Sequence, residues 1–315
     1  YGMVINNLIP YEDCKQPLLD AHPQGMAGGD TQVAMGAILF YLDLCLLTAK
    51  PLEGLDADFS TYTKVCEDYS QHKSAEQLSI RWQMVLNLRG RSDQQALLVG
   101  EVFNEALAME RIKQTKDEAL WSGVLQIRLF TATYFGDYEY AVKIVIEAHD
   151  NGIKFTPGNI LSTTTRFLSS LVATIVGHQN KQLSRSKRSK IKQLAHTSRK
   201  AVRLAVKQKN PNAVHCLAIL EAERAAWKAH KKRKRDSEFR AAVKLYQDAI
   251  RISARTGFSQ NQALANERLG EHMLLESDTE GAVYHFNEAV RLYQEWGASQ
   301  KAALLQERSE FIGRP

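Results

Sequence analysis

Little in this chain staples or interrupts a fold. Its four cysteines, Cys14, Cys45, Cys66 and Cys216, are scattered and form no CxxC pair. That excludes a thiolate zinc knuckle and a disulfide framework, and fits a reducing compartment. Only seven prolines occur in 315 residues. No alternating apolar and polar run closed by a two-residue turn is present, which argues against a sheet fold. Among nine histidines, none pairs at i, i+4 with a second ligand in a zinc-like context, so neither a metal nor a cofactor is expected. There is no GxxxxGKS/T phosphate loop and no HRD or DFG triplet, and therefore no expected ATPase or kinase activity in this chain. The first residues, YGMVINNLIP, carry neither an initiator Met nor a basic-then-apolar leader, as expected of a segment from inside a longer polypeptide.

What the chain has in quantity is helix formers, with long segments rich in Ala, Leu, Lys, Gln, Glu and Arg. It also has an internal copy. AVKLYQDAIRISARTG, from Ala242 to Gly257, is matched by AVYHFNEAVRLYQEWG, from Ala282 to Gly297, with Ala242, Val243, Tyr246, Ala249, Ile250 and Gly257 answering to Ala282, Val283, Phe286, Ala289, Val290 and Gly297. Residues at i, i+4 and i+7 share one side of a helix, and a glycine just past the last turn suits a left-handed cap. The copy supplies no nucleophile, base or phosphate loop. It reads as a structural unit that recurs by stacking, and an elongated array is plausible at this length.

Asp30 is placed to cap a helix reaching about residue 49, which Pro51 ends. Its apolar run over 33–49 imitates a membrane span, but Asp43 near the centre would oppose insertion by roughly 2.5–3.5 kcal/mol, so a buried helix and no span are expected. A further helix is expected over 56–69. Ser74 and Gln77 have capping-box spacing ahead of a stripe at Leu78, Trp82, Val85 and Leu86, which Gly90 closes. After a looser stretch at 97–103, the periodicity predicts helices over 104–114, 117–135, 138–151, 158–176, 186–207, 213–230, 237–254, 259–276, 279–296 and 299–311. Short connections make neighbours pack as hairpins. The expected fold is all-α, an α-solenoid of antiparallel pairs, with residues 1–30 as the end of a preceding repeat and 31–315 as the array.

Leu269, Gly270, Met273, Ala282, Phe286 and Ala289 fall where the tetratricopeptide repeat places its packing residues, and Gly136, Ala141, Val145 and Ala148 fit the second half of another such unit. Trp82, Trp121, Trp227 and Trp296 are expected to fill gaps between repeats, with a ligand groove as the alternative. Trp296 is expected to lock the last full pair to the terminal helix.

The stretches QPLLDAHPQGMAGGD (Gln16 to Asp30), VLNLRG (Val85 to Gly90), YFGDYEYA (Tyr134 to Ala141), GFSQNQALANERLGEHML (Gly257 to Leu274) and YQEWGASQKAALL (Tyr293 to Leu305) resemble the helical region of large multidomain signalling ATPases. The resemblance covers almost the whole chain, and EWGA (Glu295 to Ala298) is its most specific element. In that family a kinase-like domain and an AAA-type ATPase precede the helical array, and sensor and histidine-kinase modules often follow it. The resemblance implies a non-catalytic, tetratricopeptide-like arm of an intracellular, cytoplasmic signal-transduction protein. The basic insertion between Trp227 and Glu238 departs from the family pattern.

Charge is distributed unevenly. No Asp or Glu occurs from Asn151 to Leu220. Residues 181–235 hold 18 Lys and Arg against 2 Glu, a net of +16, so with +6 for the whole chain the remainder carries 6 less 16, or −10. On the helix that follows Ser186, Ile191, Leu194, Ala195, Val202 and Ala205 face a core, while Lys192, His196, Arg199 and Arg203 line the other side. Lys187, Arg188 and Lys200 add to that face, and Lys231, Lys232, Arg233, Lys234 and Arg235 form a loop of like charges that repel one another. Three functional readings fit this segment: an acidic protein partner or sister domain, nucleic acid held by its phosphates, or nuclear import through KKRKR. A solvated charged surface is the fourth. No aromatics interleave with the cations, which counts against single-strand stacking. Ser184, Ser186 and Ser189 lie among the basic residues as candidate phosphate acceptors.

Overall fold

The computed structural model describes residues 4–153, 159–230 and 235–313, apart from the side chains of 235 and 236. Among the described residues there are fourteen α-helices and no strand: α1 (Tyr11–Ala27), α2 (Thr31–Leu47), α3 (Leu52–Asp68), α4 (His72–Arg89), α5 (Glu105–Thr115), α6 (Glu118–Tyr134), α7 (Tyr138–Asp150), α8 (Ile160–Gln179), α9 (Arg185–Lys207), α10 (Val214–Ala229), α11 (Arg235–Arg255), α12 (Ser259–Leu275), α13 (Thr279–Trp296) and α14 (Ser299–Ile312). The fold is all-α. Neighbouring helices pack in pairs, α1 with α2, α3 with α4, α6 with α7, α8 with α9, α10 with α11 and α12 with α13, and α14 covers the last pair.

Local chemistry sets most boundaries. The side chains of Asp30, Asp117, Asp137 and Asp278 accept from the backbone N–H three residues on, at 2.9–3.0 Å, and so satisfy one of the unpaired donors of each first turn. Gly257 and Gly297, the paired glycines of the internal copy, both lie in the left-handed region with φ +79° and +88°. Two boundaries differ from expectation. Ser74 does not cap α4, which begins at His72 after Gln71, and Gln77 instead accepts from Arg81 Nη1 at 3.0 Å. Likewise α3 begins at Leu52, because Pro51 with its fixed φ of −51° starts that helix rather than merely ending α2.

Residues 1–30 contribute α1, a full helix packed on α2 and carrying Pro17 and Pro23 in its interior. Each interior proline costs roughly 3 kcal/mol of helix stability. Burial of Tyr11, Cys14 and Leu18, worth roughly 1.5–3 kcal/mol per large apolar side chain, offsets much of that.

The array does not run out as an extended rod. Gln260 Nε2 of α12 donates to the carbonyl of Leu47 at the end of α2. Asn212 Oδ1 accepts from the Tyr11 N–H at 3.0 Å, while Asn212 Nδ2 donates to the carbonyls of Asn6 and Ile9 at 2.8 and 2.9 Å. Trp296 lies 5.5 Å, ring to ring, from Tyr134 of α6, so it joins the last pair to the middle of the chain. The accessible surface, 14993 Å², lies near the roughly 13,000 Å² expected of a compact monomer of 35.5 kDa. The pairs curl until early ones touch late ones.

Apolar helices are satisfied inside this core. In α2, Asp43 receives Arg81 Nε at 2.6 Å and Nη2 at 3.3 Å, a buried fork that pins α2 to α4. One described helix, α8, is long and apolar enough to cross a membrane, but 89% of its apolar window is buried inside the protein. Its hydroxyls return to backbone carbonyls, as with Thr165 to Leu161 at 2.8 Å and Thr174 to Ser170 at 2.7 Å. Ser170 reaches across to the carbonyl of Ala195 on α9 at 2.9 Å. By that bond and by apolar packing, α8 is the platform on which the basic helix lies.

Candidate functional site

Helix α9 is strongly amphipathic. Ile191, Leu194 and Val202 are buried, Ala195 and Ala205 are half-buried, and Lys187, Lys192, His196, Lys200, Arg203 and Lys207 are exposed. The helix starts at Arg185, one residue before the expected Ser186, because Ser184 Oγ caps it by accepting from the Lys187 N–H at 3.3 Å. The first turn has no acidic residue, and it carries Arg185, Lys187 and Arg188 against the positive end of the helix dipole.

The cations predicted for this face divide into groups. Lys187, Lys192 and Lys200 are exposed and have no ion-pair partner among the described residues. Arg188 turns back and donates to the carbonyls of Asn180 and Lys181, at 3.0 and 3.2 Å, holding the end of α8. Arg199 and Arg203 join Arg224 of α10 around one carboxylate, that of Glu221. Arg203 and Arg224 take its oxygens, and the Arg199 Nη1 is left 3.9 Å from Oε1, buried and with no hydrogen-bond partner in the protein. Burial, reinforced by Arg224 and Arg203, depresses the Arg199 pKa, with Glu221 acting in the opposite direction. Lys231, Lys232, Arg233 and Lys234 lie outside the described residues; Arg235 opens α11, with its side chain outside them.

Between α8, α9 and α10 is a cavity of about 140 Å³, lined by Thr174, Lys192, His196, Arg199 and Arg224 and floored by Ala173, Gly177, Ala195 and Leu220. Small side chains on α8 and α9 leave the space. Sequence reading missed Arg224: its only signal is the i, i+3 spacing from Glu221, and nothing in that spacing tells that α10 turns it toward α9.

The residues assigned to repeat packing are all inside. Leu269, Ala282, Phe286 and Ala289 are fully buried, as are the counterparts Ala242, Tyr246 and Ala249, while Trp296 and Met273 are nearly so. The four tryptophans do not share a groove. Trp82 donates to Asp56 at 2.6 Å, Trp121 to Glu147 at 3.4 Å and Trp227 to Glu223 at 2.7 Å.

A second group of charges is sealed in the core. Glu223 of α10 receives Arg268 Nη2 at 2.9 Å and Nε at 3.1 Å, the Trp227 indole and the Tyr246 hydroxyl, with His272 Nε2 at 3.3 Å. Burial pushes the Glu223 carboxyl up, but Arg268 and His272 outweigh it and hold the pKa well below the usual carboxylate range. A carboxylate with its oxygens filled and no path to solvent is a cross-link, not a general base.

Nearby, His215 Nε2 accepts from Asn261 Nδ2 at 3.0 Å, and the ring stacks on Phe258 at 3.8 Å. Burial lowers its pKa from 6.5 to about 3. The folded state therefore holds His215 neutral while the unfolded chain protonates it. Its contribution to stability is full above pH 6.5 and is lost as pH falls toward 3. The variant His215→Gln is expected to show a shallower fall in melting temperature between pH 6.5 and 4 than the parent, as read by circular dichroism.

With this geometry in hand, searches of family models and of curated proteins both returned no match.

Proposed function

We propose that the chain is a non-catalytic binding module, a scaffold or regulatory arm of a larger signal-transduction ATPase or kinase, that holds an acidic protein partner or sister domain on the exposed face of α9. One observation carries the reading: cations crowd the start of α9, where the dipole opposes each by roughly 0.3–1 kcal/mol, and Lys187, Lys192 and Lys200 have no carboxylate to balance them among the described residues. Helix stability does not account for them, since α3, α5, α6, α7 and α13 each carry an acid in the first turn instead. From Lys187 to Lys207 the face extends about 30 Å at 1.5 Å per residue, a length suited to a helix or an extended acidic segment. Long-range attraction of this kind speeds encounter and selects charge more than it adds affinity.

The test is fluorescence anisotropy with a labelled poly-glutamate peptide. Saturable binding is expected, weakening with salt and at least tenfold weaker in the triple variant Lys187→Glu, Lys200→Glu, Lys207→Glu. Equal affinity in parent and variant overturns the proposal.

Nucleic acid is the second reading, favoured by the length of the cationic face. It requires retention of duplex DNA or RNA at low salt, with a steep fall in affinity as salt rises and on Lys192→Glu, Arg199→Glu and Arg203→Glu. Nuclear import through KKRKR falls on Lys231, Lys232, Arg233 and Lys234, which lie outside the described residues, and on Arg235, whose side chain does too.

A further inference from the structure

The cavity between α8, α9 and α10 differs from the rest of the basic face in being recessed, with a buried floor and a cationic rim that opens to solvent. Three features converge there. First, its floor is made of small or apolar residues, Ala173, Gly177, Ala195 and Leu220, so the space is shaped by the fold and is not a gap between mobile lysines. Second, Lys192, Arg199 and Arg224 supply its charged wall, with His196 and the Thr174 hydroxyl as further polar groups. Third, the Arg199 Nη1 is buried and has no acceptor in the protein, because Glu221 is already held by Arg203 and Arg224. A buried guanidinium N–H without an acceptor is costly, and an anion in the cavity would supply one.

Charge and size narrow the choice. Lys192, Arg199, Arg203 and Arg224 against Glu221 leave a net of +3 around the cavity. A carboxylate brings one negative charge, whereas a phosphoryl group brings about −1.5 to −2 and three acceptor oxygens. The 140 Å³ equals about five waters at roughly 30 Å³ each, enough for a tetrahedral oxyanion and the first atoms of its carrier, the remainder of which would lie outside. We infer that this cavity is a phosphoryl-binding site, taking a phosphomonoester through Arg199, Arg224 and Lys192. The inference rests on the reading of α9 as a binding face and names the group that its recessed part receives.

Isothermal titration of the 315-residue chain at fixed ionic strength tests it, with inorganic phosphate, a phosphoserine peptide and the same peptide unphosphorylated. Saturable binding of inorganic phosphate and of the phosphopeptide at one shared site is expected, with no binding of the unphosphorylated peptide. A phosphopeptide that binds more tightly than free phosphate identifies a protein-borne source; equal affinities identify a small phosphate compound. Arg199→Gln is expected to weaken phosphate binding at least tenfold. So is Lys192→Gln, an exposed position whose variant folds even if the Arg199 variant does not, while Lys209→Gln has no effect. Absence of saturable phosphate binding, or equal losses in Lys192→Gln and Lys209→Gln, overturns the inference. Loss of phosphate binding together with retained poly-glutamate binding sinks only the cavity, and the reverse pattern sinks only the acidic-partner reading.

Discussion

Arg268→Met is expected to melt about 6 °C below the parent chain. Removing one partner of a buried ion pair costs about 3–5 kcal/mol, and an unfolding entropy of roughly 2.1 cal/mol/K per residue converts the middle of that range to this shift for a chain of 315 residues. The cause is Glu223, which then sits in the core with its charge opposed by neither Nε nor Nη2 of Arg268. The sign of the pH dependence also changes. In the parent the Glu223 pKa lies below 4.5, so its contribution is full above pH 4.5 and is lost as pH falls through the lower, folded value. Without the guanidinium, burial raises that carboxyl, the folded state binds the proton more readily, and acidification from pH 7 to 5 narrows the gap between variant and parent. Calorimetry at both pH values decides it; a gap that widens toward pH 5 contradicts this account of the core. The double variant Glu223→Leu, Arg268→Met is expected to recover part of the loss, since both charges leave together, but not all of it. Tyr246, Trp227 and His272 lose their common acceptor.

Phe286→Ala is expected to cost about 3–5 kcal/mol, the range for deleting a buried aromatic ring. Its neighbour makes the test sharper. A Cβ added at Gly270 would fall 2.7 Å from Phe286 Cε1 and 2.8 Å from Cδ1, so Gly270→Ala in the parent forces the ring to move and destabilises by about 1–3 kcal/mol. In the Phe286→Ala background the ring is gone. There the same Gly270→Ala change is expected to stabilise, by filling space and by the roughly 1 kcal/mol of helix propensity that alanine holds over glycine. Urea titration of the four proteins measures this inversion of sign, and additive losses would show that α12 and α13 do not meet through these two residues.

Much of this architecture was legible in advance, and the reasons are local. The spacing of Ala282, Phe286 and Ala289 and the glycine after Trp296 report on one helix and its cap, interactions within a few residues of each other. Asp30, Asp117 and Asp137 announce the starts of α2, α6 and α7 in the same way. The extent of α1 was less legible than its place at the end of a repeat, because Pro17 and Pro23 contradict a helix by propensity, and the packing that overrides them comes partly from Asn212, 201 residues away. The inward curl escaped for the same reason: nothing near Gln260 or Leu47 tells that they meet. Asp43 was visible as a charge in an apolar run, but its partner Arg81 lies 38 residues on, within a helix that gives no sign of the pairing. At the candidate site, the cationic face of α9 follows from periodicity. The cavity does not, because it depends on which side of α10 turns Arg224 toward α9 and on Glu221 being occupied by other arginines.

The bonds from Tyr11, Asn6 and Ile9 to Asn212 impose an order in time. At about 5–20 residues per second of translation, the first helix leaves the ribosome roughly 10–40 s before the asparagine that receives it exists. Through that interval Tyr11, Cys14 and Leu18 can rest on α2 alone, with the greasy side meant for later segments still uncovered. A slower passage from the first helix to residue 212 therefore lengthens the time for which that surface is uncovered.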